Sequence, residues 1–168
     1  MPRWPATGIS RKSSSTRAHQ HAALARPKKG EQALGRSRGG LSTKIHALVD
    51  GLGMLARFRL TGGQAGDSPE ALPLLGELRP GSVAADKAYD IDALLAQWKQ
   101  QAAQAVIPSR AHRRERRPLD RHLYRSRNLV ERFFARIKQF RRIATRYDKL
   151  AQRFSAFVSI AAAFIWLR

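Results

Sequence analysis

Apolar and polar residues alternate with a period of two in the segment that begins near Lys44. The run from Lys44 to Asp50 has an apolar residue at every second position, and the run from Ala56 to Leu60 alternates apolar with basic side chains. The turn signal Asp50-Gly-Leu-Gly53 lies between the two runs. This pattern predicts a β-hairpin whose second strand is half-buried and has a positively charged outer face.

The segments that follow alternate between helical spacing and short apolar runs. Ser68-Pro69 is a helix start, with leucines at helical spacing behind it and a stop at residues 79–81. Asp90 is positioned to cap a second helix, which carries an apolar stripe. Residues 82–86 and 105–108 read as short strands, the first of them buried.

Two longer helices are predicted towards the end of the chain. One runs from about Leu123 to Arg142, and a final helix after Lys149 is apolar nearly all round, so we expect it to be buried. The order of elements predicts an α/β fold in which helices flank a mixed sheet. Residues 1–43 lack a hydrophobic period, so we expect a basic, largely irregular arm before a domain at 44–168.

Composition narrows the class of partner. The 168 residues include 32 Lys plus Arg against 12 Asp plus Glu, for a net charge of +20, and no cysteine. The missing cysteine excludes a disulfide framework and a thiolate metal site. No apolar run reaches the roughly 20 residues of a membrane-spanning helix, so we expect no membrane partner and a cytoplasmic, nucleoid-associated protein. A positive charge of this size usually indicates nucleic acid.

The charge is unevenly distributed. Residues 1–50 carry net +8, residues 51–109 net −1 and residues 110–153 net +12. A neutral middle between two basic segments favours a domain that binds DNA on both sides of a site. An RNA-binding translation factor would also fit the charge. Two interpretations, a solvated loop and contact with phosphates, stay open at this point for the run of Arg110, Arg113, Arg114, Arg116 and Arg117.

The helix predicted from Leu123 carries the candidate chemistry. At 100° per residue, one stripe about 60° wide contains Glu131 together with Tyr124, Arg127 and Lys138. An ordinary surface helix with an i,i+4 Arg–Glu pair is one interpretation. Asp86 adds a second carboxylate at the end of an apolar strand, where carboxylates of α/β sheets often face a ligand crevice. A cap or loop role for Asp86 stays open.

The spacing Tyr124-x2-Arg127-x3-Glu131-x6-Lys138 resembles the Y-R-E-K signature of DDE transposases of bacterial insertion sequences. The segment around Asp86 is similar to the region of that family's second catalytic Asp. Other similar segments are 35–46, 128–134 and 140–148, and the resemblance extends from about Thr16 to Arg168.

The resemblance implies a ribonuclease-H-like fold and metal-dependent cleavage of phosphodiester bonds at transposon ends, followed by strand transfer into target DNA. Three acidic residues of the family hold two Mg²⁺ (or Mn²⁺) ions, and Asp86 and Glu131 correspond to the second and third, as catalytic residues and metal ligands. Double-stranded DNA is the implied partner, with a homo-oligomer or an assembly with intact transposase as further possibilities. The residues predicted to contact DNA are Tyr124, Arg127, Lys138, Arg113, Arg114, Arg116, Arg117, Arg141 and Arg142.

The family's first Asp has no counterpart. It belongs to a run similar to Asp-Ser-Thr-x-Val-Arg-Ala-His-Gln-His, whose end matches residues 16–21. Counting back five residues from Arg17 reaches Lys12, and no acidic residue precedes Glu31. We therefore expect a non-native start over residues 1–15, a missing or degraded first strand, and a truncated, inactive copy.

Other outcomes stay open. Asp50 or Asp67 could substitute, although a hairpin turn and a helix start are positions where Asp usually has a structural role. A second transposase chain could supply the carboxylate. In the alternative function, the chain is a non-catalytic DNA-binding remnant that interferes with an intact transposase.

Overall fold

The computed structural model describes residues 7–9, 16–18, 30–37 and 40–167. These residues form two compact units, and the chain passes between them several times. The first unit contains residues 7–9, 46–59 and 66–133, and the second unit contains residues 16–18, 30–37, 40–45, 60–65 and 134–167.

Strands and helices alternate along the described residues, as the hydrophobic pattern predicted. The strands are β1 (Thr7–Ile9), β2 (Thr16–Ala18), β3 (Gly35–Ser37), β4 (Gly40–Val49), β5 (Leu55–Gly62), β6 (Ser82–Ala84), β7 (Gln104–Val106) and β8 (Thr145–Arg146). The helices are α1 (Ala71–Leu75), α2 (Asp92–Gln100), α3 (Arg121–Tyr124), α4 (Asn128–Ile137), α5 (Arg141–Ala144) and α6 (Ala151–Trp166).

The first unit is built on a mixed sheet. β1 is parallel to β6, with Gly8 opposite Ala84, and antiparallel to the end of β4, with Gly8 opposite Val49. β7 extends the sheet parallel to β6. The predicted mixed α/β architecture is confirmed, and the core of this unit consists of Leu48, Ala71, Leu74, Leu75, Val83, Ala85, Tyr89, Leu94, Trp98, Ala103 and Ile107.

Three short strands lie within residues 1–43, for which composition predicted a largely irregular arm. That expectation does not hold for β1, β2 and β3, because backbone pairing with β4 needs no hydrophobic period in the partner strand. Residues 30–34 of the arm are also described, and residues 40–43 begin β4. The rest of the arm lies outside the described residues, as does most of the predicted non-native start over 1–15.

Helix α1 ends at Leu75, although the leucine spacing predicted a longer helix. Gly76 adopts a positive φ of 51°, and its N–H donates to the Leu72 carbonyl at 2.9 Å. A Cβ at this position would lie 2.1 Å from Nη1 of Arg57, which donates to the Leu75 carbonyl at 3.3 Å. The arginine of β5 thus caps the helix, and the positive φ at residue 76 favours glycine.

The single helix predicted from Leu123 to Arg142 is wrong. The structure has α3, a 3-10 turn at Arg125–Arg127, then α4, and α5 follows after a break. The break lies at Phe140, whose ψ of 107° is extended. The amphipathic period continues through these interruptions, which is why the sequence reads as one helix.

Burial of the final helix on nearly all sides is also wrong. α6 buries one face, which includes Phe154 and Val158, but Ile160 is 64% exposed and Trp166 is 52% exposed. A uniformly apolar sequence cannot show which side has a partner. Within the described part of the chain, no helix combines the length and apolarity that crossing a membrane requires.

The second unit is organised around the buried side chain of Arg146. β4 pairs antiparallel with β2 and β3 in this unit, and β8 is parallel to β2. The Arg146 guanidinium lies 4.9 Å from the centre of the Phe154 ring. It donates hydrogen bonds to the backbone carbonyls of Gln32, Ala33, Asp148 and Lys149 and to the Thr43 hydroxyl. One cation therefore connects segments far apart in sequence.

We expect Arg146→Lys to lower the free energy of unfolding by about 3 kcal/mol, because the ammonium keeps the charge but leaves buried carbonyls without donors. The same substitution at Arg141, which is exposed, should change it by less than about 0.5 kcal/mol. Urea unfolding followed by circular dichroism measures both. Equal effects of the two substitutions would contradict the role given to Arg146.

Candidate functional site

Asp86 follows strand β6 at the carboxyl edge of the first unit's sheet. It begins the 3-10 turn Lys87–Tyr89, and its Oδ1 accepts a hydrogen bond from the backbone N–H of Ala88 at 2.7 Å. Ala85 before it is buried, whereas Asp86 is only half-buried. Asp86 is thus a turn cap, and it also lies at the sheet edge where α/β proteins bind ligands.

Glu131 lies in the first turn of α4 and forms an ion pair. The Nη2 atom of Arg127 is 2.9 Å from Glu131 Oε1, and both side chains remain a little over one quarter exposed. The Arg127 guanidinium also lies 5.8 Å from the centre of the Tyr124 ring. Three members of the predicted stripe are therefore brought together. Lys138, the fourth, follows the end of α4, belongs to the second unit and is exposed.

Strand β1 is the parallel neighbour of β6, so a strand is present within residues 1–15, where we expected a missing or degraded one. Because β1 and β6 are parallel neighbours, their carboxyl ends lie at the same edge. The 3-10 turn Arg125–Arg127 approaches β1. The sequence of β1 is Thr-Gly-Ile, and the first acidic residue of the chain is Glu31. Lys12, predicted to replace the family's first Asp, lies outside the described residues.

The two carboxylates considered as substitutes are engaged in local structure. Asp50 Oδ1 accepts hydrogen bonds from the backbone N–H groups of Leu52 and Met54, both at 2.9 Å, and so closes the hairpin turn. Asp67 Oδ1 lies 3.8 Å from His46 Nδ1. These contacts agree with the structural roles expected for both residues.

The donor set for a metal ion is incomplete. Over residues 30–37 and 40–167, no group of three or more His, Asp or Glu side chains is arranged to hold a metal. Asp86 and Glu131 have carboxylate oxygens, which are the type of ligand that Mg²⁺ prefers. Two carboxylates fall short of the three that the resemblance requires, so the residues described do not fit the two-ion site of the family.

A different acidic residue, Asp90, organises the arginine loop, which we define as residues 109–117. The Asp90 side chain is completely buried. It accepts hydrogen bonds from the backbone N–H of Arg110 at 2.7 Å, from Nε of Arg113 at 2.8 Å and from Nη2 of Arg117 at 2.6 Å. Arg113 also reaches Oδ1 of Asp92 at 2.5 Å. Asp90 is therefore the anchor of this loop.

These contacts determine the ionisation of Asp90. Burial raises the pKa of its carboxyl group, but hydrogen bonds from Arg110, Arg113 and Arg117 outweigh that effect and lower the pKa to about 2. The carboxylate is thus charged at neutral pH.

Asp90 does not cap helix α2 as predicted. The helix begins after Ile91, which provides no side-chain cap, and the Asp90 carboxylate is bonded to the arginine loop instead. The sequence signal for this role was weak: an acidic residue in a neutral segment, with the five arginines about 20 residues downstream. Only the tertiary structure shows which of those arginines it binds.

The arginines predicted to contact DNA fall into two groups. Arg113 and Arg117 are half-buried against Asp90, whereas Arg114 and Arg116 are exposed. In the second unit, Arg142 pairs with Asp148 at 3.1 Å and stacks on Phe157 at 4.1 Å.

Arg141 and Lys138 complete the predicted set in the second unit. Both side chains are exposed, and neither forms an ion pair with another described residue. Of the basic residues predicted to contact DNA, those that are exposed and have no ion pair with another described residue are Arg114, Arg116, Lys138 and Arg141.

We expect the stability that Asp90 contributes to depend on pH. Its folded-state pKa lies below the ordinary value of 3.8, so the contribution is present above pH 4 and is lost as pH falls towards 2. The difference in unfolding free energy between wild type and Asp90→Asn should shrink by about 2 kcal/mol from pH 5 to pH 2. Urea titrations measure it. Asp92→Asn, at an 86% exposed side chain, should show no comparable change, and a pH-independent difference for Asp90→Asn would contradict the prediction.

Comparison with known proteins identifies the same family that the signature resembles. Residues 7–166 match the family described as "Transposase DDE domain". A relative from Brucella ovis, named "Putative transposase for insertion sequence element IS6501", is 42% identical over 133 residues, which cover 76% of this chain and all of the relative. The family match includes Asp86 and the whole segment from Tyr124 to Lys138. This chain belongs to the DDE transposases of insertion sequences.

Proposed function

We propose that this transposase-family chain binds double-stranded DNA through its basic side chains and does not cut that DNA on its own. The observation that carries the proposal is the shortage of carboxylates around Asp86 and Glu131. No third acidic ligand accompanies them among the described residues. The chain before Glu31 contains none.

The family reaction explains why this shortage matters. DDE transposases generally use divalent ions, which activate the attacking oxygen and stabilise the leaving oxygen when phosphodiester bonds break. We propose Asp86 and Glu131 as this chain's two ligands for Mg²⁺ or Mn²⁺. With Lys12 in the place of the first Asp, a cation replaces the anion that the ions need, so we assign no cleavage step to this chain.

The positive residues support the DNA-binding part of the proposal. Arg114, Arg116, Lys138 and Arg141 are exposed and available for phosphate contacts. Arg127 is stacked near Tyr124 while it neutralises Glu131. These residues lie in the segment of net charge +12. Such contacts are independent of base sequence, and we propose that the chain acts on bacterial DNA in the cytoplasm.

The fold of the proposed catalytic region, residues 44–168, is ribonuclease-H-like in this proposal. The mixed sheet with helices agrees with that family of folds, and so do the parallel pairs of β6 with β1 and β7. The boundary at 44 stays a prediction, and β1, β2 and β3, which precede it, pair with β4, which begins at Gly40.

A second candidate function follows from the same shortage of carboxylates. A chain that holds DNA without cutting it would compete with an intact transposase for the same DNA, or join it in a mixed assembly. If the intact partner supplied the first Asp, the mixed assembly would be active. A translation factor, by contrast, would prefer structured RNA.

We expect the purified chain to bind duplex DNA that flanks its own gene, with affinity falling about 10³-fold or more between 50 and 200 mM salt. With Mg²⁺ or Mn²⁺ the bound DNA should stay intact, because one metal ligand is missing. Filter binding and denaturing gels measure the two properties on one sample.

The matched control for cleavage is Glu131→Gln, which removes a carboxylate at constant size. Wild type and this variant should give the same intact DNA. Metal-dependent nicking by wild type that the variant loses would refute the claim of inactivity, and preference for structured RNA would refute the claim of DNA binding. Nicking only after addition of an intact transposase would support the mixed assembly.

A further inference from the structure

The five arginines of the arginine loop do not face the same surroundings. Arg113 and Arg117 are half-buried and ion-paired with Asp90, and Arg110 is bound to the same region. Arg114 and Arg116 are exposed. The loop therefore has an inner set of arginines that hold it and an outer set that faces the solvent.

Electrostatics makes Asp90 necessary for this arrangement. Five guanidinium groups within residues 109–117 repel one another, and the loop's own acidic residue, Glu115, is exposed. Asp90 is completely buried, and both of its oxygens accept hydrogen bonds from the loop. Loss of the carboxylate charge would leave Arg113 and Arg117 without their buried counter-ion.

The same contacts connect the loop to Asp86. The 3-10 turn Lys87–Tyr89 has Asp86 at its start and Asp90 at its end. Arg110 donates from Nε to the Lys87 carbonyl at 3.1 Å and from Nη2 to the Ala88 carbonyl at 2.8 Å. The backbone N–H of Ala88 in turn donates to Asp86. The loop and the candidate catalytic carboxylate are thus fixed to one short segment.

We propose that Asp90 is a positioning residue for DNA binding: it holds the arginine loop so that Arg114 and Arg116 reach the phosphates beside Asp86. The inference rests on the proposed function, because it assumes that the chain binds DNA. Asp90 itself does not touch the DNA, since its side chain is buried. Its oxygens are occupied by N–H donors, so it does not replace the missing metal ligand either.

A comparison of two isosteric variants separates this role from a simple charge effect. Asp90→Asn and Asp92→Asn each remove one negative charge near Arg113, so net charge alone predicts that both bind DNA more tightly. We expect Asp90→Asn to bind more weakly, with the slope of log affinity against log salt reduced in size by about 2, for two lost phosphate contacts. Asp92→Asn should keep the wild-type slope.

A double-mutant cycle tests whether Asp90 acts through the exposed arginines. Arg114→Ala and Arg116→Ala should each reduce the size of the salt slope by about 1 in the wild type. In the Asp90→Asn background they should have no further effect, because the loop no longer presents these side chains. Additive effects in both backgrounds would overturn the proposal.

A measurement made without DNA tests whether Asp90 holds the arginine loop, even if the wild type does not bind DNA. Limited trypsin digestion followed by mass spectrometry should show faster cleavage within residues 110–117 for Asp90→Asn, at unchanged rates elsewhere. If that variant does not fold, Arg113→Gln replaces it, with Arg114→Gln as the control of equal charge. Only Arg113→Gln should accelerate cleavage of the loop.

The outcomes distinguish failure of the positioning role of Asp90 from failure of the proposed function. If wild type binds DNA and Asp90→Asn binds as tightly as Asp92→Asn with an unchanged loop, the positioning role is overturned and the proposed function stands. If wild type binds no DNA, the proposed function fails, and the positioning role in DNA binding fails with it. Faster trypsin cleavage would then still establish Asp90 as the anchor of the loop.

Discussion

An excess of positive charge is the physical constraint on which this structure depends. The chain has 32 basic residues and only 12 acidic ones, so most basic side chains cannot have a carboxylate partner of their own. Carboxylates are found where arginines must be held in place: Asp90 with the arginine loop, Glu131 with Arg127 and Asp148 with Arg142. Arg146 is buried without a carboxylate hydrogen bond and is satisfied largely by backbone carbonyls.

This constraint bears directly on catalysis. A two-ion phosphoryl-transfer site needs negative charge concentrated at one point, whereas DNA binding needs positive charge around it. Among the residues described, Asp50 and Asp90 are fully engaged in turns and loop contacts, and Asp67 lies close to His46. These three described carboxylates therefore have structural contacts of their own and do not replace the one that the sequence lacks. This is why we propose a chain that binds DNA and does not cut it on its own.

The parts of the fold with a strong local pattern could be predicted from the sequence. The hairpin expected over 44–60 is present as β4 and β5, and the stripe of helix α2 is buried at Leu94 and Trp98. At the candidate site, the pairing of Arg127 with Glu131 and the place of Asp86 after a buried strand also follow from spacing. Periodicity and strand ends are local properties, which is why the sequence alone predicts them.

Features that depend on distant partners could not be predicted. The period of an amphipathic helix does not reveal a 3-10 turn or an extended residue such as Phe140. The apolar sequence of α6 does not show that Ile160 and Trp166 are exposed to solvent in the described part of the chain. Asp90 looked like a helix cap because caps are common for Asp. Its partners Arg113 and Arg117 lie more than 20 residues away, and no local pattern connects them.

The most direct test of the central claim is a count of the Mn²⁺ ions held by the DNA-bound chain, read from the electron paramagnetic resonance signal of free Mn²⁺. A site with two carboxylates should hold no tight pair of ions, so the wild type should bind at most one Mn²⁺ more than Glu131→Gln. A pair of ions in the wild-type complex that the Glu131→Gln complex loses would show that the carboxylate set is complete and would contradict the claim.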